Sequence, residues 1–405
     1  MIVRHTGVTR AAAPMPAQRS PLLRRMLGAA VLLGAGAAVA WSGEALAATG
    51  DESNAPLSLP ISLVQPVGTT TETSPFGALP LALPGDTQRA TPILLASHQN
   101  NGGGGGGGGS SSGNQSGLAW KSGSQCYSEQ FENYRGRKVD VNSLFLGRSS
   151  WGGILGNLRG SSVANAARRP GQIAVALAML MKGESFGDCN RGRLDGTFKD
   201  IGKALAQGDM KDTIVRLGWE ANGTSYVWSI RDQVEPYKQC FKRLVGILRK
   251  EAPKIVIEWS MRKDNGASAG VHQLYPGNDV VDYIGTSLYD RYPSSNNQQQ
   301  WDENYRLTKQ GGPKGLGTWL DFAKSKGKKV SLSEWAISNT YPSSSKDNPF
   351  YIEKVFQFLK SNASNIGYEA YFNCIGVDSR RYLLLPESRN PKTSAKYKEL
   401  WRRGA

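Results

Sequence analysis

Histidine is scarce in this chain, with only His5, His98 and His272 among 405 residues. Three histidines spread so widely cannot supply a paired metal-binding motif. The four cysteines, Cys126, Cys189, Cys240 and Cys374, lie far apart with no C-x-x-C spacing, which removes the familiar zinc and redox patterns. No metal site and no cofactor is therefore expected. Nor is a nucleotide site: no G-x-G-x-x-G opens a helix and no Walker lysine follows a glycine-rich loop. Acidic residues are also few, 33 Asp and Glu against 49 Lys and Arg, for a net charge of +16. Such a surplus suits nucleic acid, an anionic membrane surface or an acidic polysaccharide. No recognition-helix, zinc-finger or RNA-binding signature accompanies it, so nucleic acid is not an expected partner. A long apolar run is lacking as well. Met26 to Trp41 is rich in Gly and Ala and spans sixteen residues, short for crossing a bilayer.

That short run has a different meaning in context. Arg4, Arg10, Arg19, Arg24 and Arg25 precede it, and Ala45-Leu46-Ala47 follows. A basic flank, an apolar stretch and an A-x-A site describe a secretory signal peptide over residues 1–47. Export to the periplasm or the medium is the expectation, with no stable membrane span after cleavage. In that compartment one or two disulfides are expected, and four cysteines allow three full pairings. Residues 48–117 are Thr, Ser, Pro, Ala and Gly, ending in the run Gly102–Gly109. Too little apolar surface is available there to offset the entropy of ordering, so this reads as a flexible linker.

From Leu118 onward strand-like and helix-like segments alternate. Candidate strands are Leu118–Lys121, Val139–Leu146, Ile173–Met181, Thr213–Gly218, Lys254–Trp259, Val281–Leu288, Lys329–Ser333 and Gly367–Asn373. Apolar residues at helical spacing mark Gly196–Ala206, Val234–Arg249, Leu316–Lys326 and Pro349–Ser361. Several strands are apolar throughout, as expected when both faces are covered. The pattern predicts an α/β fold, a (β/α)8 TIM barrel over residues 118–405, with a doubly wound open sheet as the alternative.

Two segments carry the chemistry: Arg216-Leu-Gly-Trp-Glu-Ala-Asn-Gly223 and Ser331-Leu-Ser-Glu-Trp-Ala336. Counting strands puts Glu220 just past the fourth and Glu334 at the end of the seventh. Barrel enzymes keep their reacting groups at such strand ends, and two facing carboxylates are what glycoside hydrolysis requires. Glu258 and Asp290 are rival carboxylates at neighbouring strand ends. Trp219, Tyr226, Trp228, Trp259, Tyr292 and Trp335 are candidate platforms for pyranose rings, whose apolar faces stack on aromatics. Asn222 is a further candidate sugar contact. Arg216, lying inside its strand, is better suited to supporting Glu220, and His272 to the surface.

The Arg-Leu-x-x-Glu-x-Asn-Gly segment with Tyr226 and Trp228, then Ser-Leu-Tyr289-Asp290, then Ser333-Glu334-Trp335-Ala336, resembles glycoside hydrolase family 26. The resemblance runs over roughly residues 118–395. It implies a retaining (β/α)8 β-glycanase, the family holding mannanases, mixed-linkage glucanases and xylanases. By the same resemblance Glu220 is the acid/base, Glu334 the nucleophile, and Tyr289 the tyrosine that orients the nucleophile. Where the family carries a histidine before the acid/base, this chain has Gly218-Trp219, an indole that can only donate or stack; the departure bears on mannan as a substrate. The expected function is an exported endo-acting hydrolase of β-linked polysaccharide, an anionic exopolysaccharide being suggested by the basic charge. The alternative is a non-hydrolytic carbohydrate-binding barrel serving polysaccharide assembly or export.

Overall fold

The computed structural model describes residues 113–403 except 127–128, 161–162, 164–165, 168, 170, 340–343 and 375–381. The expected signal peptide and nearly all of the expected linker lie outside the described residues. The last residues of that linker belong to the barrel body: Ser116 is buried, its backbone N–H donates to Asp140 Oδ1 at 3.1 Å, and its hydroxyl donates to Oδ2 at 2.5 Å.

Eight parallel strands close into a barrel. In chain order they are β1 Ser122–Gln125, β2 Val141–Phe145, β3 Gln172–Leu177, β4 Ile214–Leu217, β5 Val256–Arg262, β6 Tyr283–Tyr289, β7 Lys329–Ala336 and β8 Ile366–Phe372. Each pairs with its sequence neighbour, and β1 closes the ring by pairing with β8 from Ser122↔Glu369 to Gln125↔Phe372. The open-sheet alternative is thereby excluded.

Helices cover the outside because their apolar residues recur on one side. In the helix Val234–Glu251 the buried set is Tyr237, Cys240, Phe241, Leu244, Val245 and Leu248, a three–four spacing that forms a single stripe against the sheet. The disulfide Cys189–Cys240 joins that helix to the short helix Phe186–Asn190, and Cys126–Cys374 joins the ends of β1 and β8.

Inside the ring the filling is layered. Val141, Ala174, Ile214, Tyr368 and Ala370, with Val256 and Tyr283, form a cluster separate from the main core. Their strand neighbours Val175, Val215, Ile257 and Ile284 belong instead to the outer core, as alternation of side chains across a strand requires. This apolar plug fills the lower interior. Two residues further along several strands the inward positions turn polar, at Ser143, Arg216 and Glu258, or carry no side chain, at Gly285. Gly285 has to lack a side chain, because a Cβ there would lie 2.4 Å from Glu258 Oε1 and 2.3 Å from Ser333 Oγ.

One predicted strand is displaced. Leu118–Lys121 precedes β1, whose sequence Ser-Gly-Ser-Gln has no apolar residue. Leu118 and Trp120 are buried in the outer core, so their hydrophobicity marks packing rather than the strand. β5 and β7 also run three residues beyond their predicted ends, carrying Arg262 and Glu334 within regular strand.

The Cys189–Cys240 bridge closes a separation of 51 residues, and loops of that size gain about 2–4 kcal/mol from closure. A Cys189→Ser/Cys240→Ser protein should lose unfolding free energy in that range, seen as a lower urea midpoint, with an m-value no smaller than the parent's because its unfolded chain is less constrained. Equal midpoints for parent and variant would show that helix packing alone holds this corner.

Candidate active site

Glu334 stands at the mouth-side end of β7, buried, with its two oxygens held from different directions. Arg216 Nη2, from β4, donates to Oε1 at 2.5 Å. Tyr289 at the end of β6 donates its hydroxyl to Oε2 at 3.1 Å. Both contacts favour the ionised carboxylate, yet its pKa is raised: burial is the largest cause, Arg216 opposes it, and the charge of Glu220 adds to it. Desolvation of this degree leaves a carboxylate with few competing hydrogen bonds, a suitable state for a nucleophile.

Glu220 reaches the same end of the barrel through a strained turn. Gly218 and Glu220 both have left-handed backbone, φ +57° and +54°. A Cβ on Gly218 would lie 2.3 Å from Met179 Sδ, so only glycine fits between β4 and the chain leaving β3. For a glutamate that conformation costs on the order of 1 kcal/mol. It is held by flanking backbone bonds: Gly218 N–H donates to the Leu177 carbonyl and Glu220 N–H to the Ser260 carbonyl, each at 2.8 Å. Backbone strain and interacting buried charges of this kind cluster at functional sites.

Beneath the pair lies a charged layer. Arg216 is fully buried; its Nη1 donates to Gln125 Oε1 at 3.2 Å, and its Nε lies 3.5 Å from Glu258 Oε1. Desolvation works against the guanidinium charge, but Glu334, Tyr368 and Glu258 outweigh it and its pKa is raised. Arg216 therefore serves Glu334 across the barrel rather than Glu220 beside it. Glu258, the first rival, is buried under Arg216 and accepts from Ser333 Oγ at 2.5 Å; burial raises its pKa against the pull of Arg216. Asp290, the second, is likewise buried: Ser295 N–H donates to Oδ1 at 2.8 Å and Asn348 Nδ2 to Oδ2 at 2.9 Å. Burial pushes its pKa up to about 6, and its bonds tie down the loop after β6. His272 is exposed.

Several expected sugar contacts are placed elsewhere. Trp259 and Trp335 directly follow the inward Glu258 and Glu334, so alternation sends both indoles outward. Trp259 is buried, donates to Tyr237 OH at 3.1 Å and packs on Tyr275 and Trp319. Trp335 is buried, donates to Glu369 Oε2 at 2.6 Å and stacks on Trp401. Asn222 is buried with both ends of its amide on the Arg262 backbone, at 2.8 and 2.9 Å, and so fixes the end of β5. Trp228 is buried and donates to the Trp219 carbonyl at 2.9 Å. Trp219 is buried too, enclosed by Tyr226, Trp228 and Phe145, and donates to Tyr226 OH at 3.0 Å. Tyr226 and Tyr292 alone among these aromatics keep partly exposed surface.

Gln125 carries no mark in the sequence as a partner of Arg216. It sits on the polar β1, and only closure of β1 onto β8 brings it across the barrel. Among the described residues no group of three or more His, Cys, Asp or Glu could hold a metal ion, and no helix is long and apolar enough to cross a membrane.

A closed parallel barrel with two acidic groups interacting at the carboxyl ends of β4 and β7 is an arrangement that glycoside hydrolysis uses. Residues 191–342, from ahead of β4 to beyond β7, match the family model described as glycosyl hydrolase family 26, and the motif resemblance is met over that segment. No curated protein matches the chain. Among solved structures, a β-mannanase from Bacteroides ovatus is 15% identical with a TM-score of 0.49, covering 70% of this chain and 89% of that one. An endo-β-1,4-mannanase double mutant from Cellulomonas fimi is 16% identical with a TM-score of 0.47, covering 70% and 72%. An endo-β-1,4-mannanase from a Bacillus species is 14% identical with a TM-score of 0.48, covering 70% and 86%. The barrel assignment itself rests on the closed strand order.

Removing the Tyr289 hydroxyl should raise the pKa of Glu334 further, since that bond favours the ionised form. The acidic limb of kcat/KM for Tyr289→Phe should therefore move to higher pH. The rate at the optimum should fall about 10- to 100-fold, the worth of one hydrogen bond to a charged group. A limb that stays in place would separate Tyr289 from the titration of Glu334.

Proposed function

We propose that this protein is a retaining endo-β-glycosidase that hydrolyses a β-linked polysaccharide by double displacement. The observation that carries this reading is the state of Glu334: buried, held by Arg216 and Tyr289, and under the influence of the Glu220 charge. Glu334 attacks the anomeric carbon while Glu220 protonates the departing glycosidic oxygen. A glycosyl ester forms on Glu334; Glu220 then takes a proton from water, which attacks the same carbon and releases Glu334. The anomeric configuration is inverted twice and so retained.

Arg216 and Tyr289 stay in place through both steps. Each holds one oxygen of Glu334, so the carboxylate cannot rotate when negative charge leaves it in the first step and returns in the second. Such fixed donors need no reorganisation as the charge moves.

The finer reading is an anionic exopolysaccharide as substrate and a site of action in the periplasm or outside the cell. The net charge of +16 supports the first. The basic and apolar N-terminal stretch supports the second, as do two disulfides with no free cysteine among the described residues.

The test is product release from mannan, mixed-linkage glucan, xylan and acidic exopolysaccharides, with proton NMR of the first anomer formed. The β-anomer should appear first, and Glu220→Gln and Glu334→Gln should each lose at least about a thousandfold in rate. Initial α-anomer would indicate inversion. Retention of glycan by the parent with no hydrolysis would indicate the carbohydrate-binding alternative.

A further inference from the structure

The aromatic cluster beside Glu220 ends in a cation rather than in an open ring. Trp228, at its base, is buried. Tyr226 is partly exposed and lies parallel on Trp228, with centroids 4.6 Å apart and planes 6° from each other. Arg148 is exposed, and its guanidinium carbon lies 5.3 Å from the centroid of the Tyr226 ring. Exposure thus rises in steps from indole to phenol to guanidinium. Trp228 covers one face of Tyr226 and Arg148 lies over the ring as well, so little of that tyrosine is left to stack on a sugar.

Arg148 comes from the loop between β2 and the helix Trp151–Arg159, at the same end of the barrel as Glu220 and Glu334. The charges of Glu220, Glu334 and Arg148 all act on the Tyr226 hydroxyl, which places the guanidinium in the electrostatic neighbourhood of the reacting pair. Among the described residues no carboxylate forms an ion pair with Arg148; its partner is the Tyr226 ring. A cation–π contact orients a guanidinium without neutralising it and leaves its N–H edge free to donate.

We propose that Arg148, positioned by Tyr226, is a specificity-determining residue that binds the carboxylate of an acidic sugar unit in the glycan occupying the cleft. The proposal rests on the glycosidase reading above and assigns a residue to its anionic substrate. A planar guanidinium matches a carboxylate through two parallel N–H donors. At an exposed rim, solvent and salt weaken such a pair, so its effect is a preference and not an absolute requirement.

The test uses the full chain with Arg148→Ala, Arg148→Glu and Arg148→Lys variants. Reducing-end release is measured at low salt on mannan, mixed-linkage glucan and xylan, each unmodified and lightly carboxymethylated. In the parent, kcat/KM on the carboxymethylated polymer that is cleaved should exceed that on its neutral counterpart by about three- to tenfold. That ratio should fall toward one in Arg148→Ala, drop below one in Arg148→Glu, and return in part in Arg148→Lys. In the parent it should also shrink as salt rises.

A ratio that is the same in all four proteins overturns the subsite and leaves the glycosidase reading standing. Failure to cleave any of these polymers counts against the glycosidase reading. Retention of the same polymer pairs on immobilised parent and Arg148→Glu protein then tests the subsite alone. Stronger retention of the carboxymethylated polymer by the parent supports it; equal retention by both proteins overturns it.

Discussion

A guanidinium in the middle of the barrel is the constraint from which the rest of the site follows. Arg216 sits between Glu258 and Glu334, with no water-exposed surface of its own. Burying one of these charges alone would cost several kcal/mol. Buried together they hold one another, and the geometry of the trio fixes where the oxygens of Glu334 point. The arrangement is sensitive for the same reason. Removing Arg216 would leave two buried carboxylates without their shared cation, and removing Glu258 would leave Arg216 with a single acidic neighbour.

That layer depends on what lies under and around it. The apolar cluster from Val141 to Ala370 fills the lower interior beneath the charges. Gly285 leaves the volume that the Glu258 carboxylate occupies, and Ser333 supplies a donor to it. Above, the left-handed turn at Gly218 and Glu220 carries the second carboxylate over the rim. Local strain at Glu220 is carried by backbone bonds from Gly218 to Leu177 at the end of β3 and from Glu220 to Ser260 within β5. The site is therefore set by closure of the ring as a whole, not by any one strand.

Much of this was legible in the sequence, and the parts that were not share physical causes. Glu220 and Glu334 stood out because carboxylates at strand ends, three βα units apart, suit only a few kinds of chemistry. Trp259 and Trp335 pack outward although they adjoin inward carboxylates, because a one-residue offset reverses the side of a sheet that a residue faces. The first strand was misplaced because Ser-Gly-Ser-Gln faces a polar interior on one side and buried polar groups on the other. Hydrophobicity looked instead to Leu118 and Trp120, which pack the outside. Arg216 was recognised as a supporting residue, but its true partner lies across the barrel, where only the three-dimensional closure could reveal it. Arg148 gave no signal at all, since an arginine in a glycine- and serine-rich loop looks like ordinary solvated surface.

The stretch that matches the family model runs from residue 191 to 342 and contains β4 through β7, with Arg216, Glu220, Glu258, Tyr289 and Glu334. Tyr226 lies inside that stretch, but Arg148, the residue seated on its ring, lies outside it. The two paired carboxylates and the guanidinium beside them thus come from different stretches of the chain, one inside the matched segment and one ahead of it. The loop after β2 can therefore change its residues without touching the packing that holds Arg216, Glu258 and Glu334 together in β4, β5 and β7.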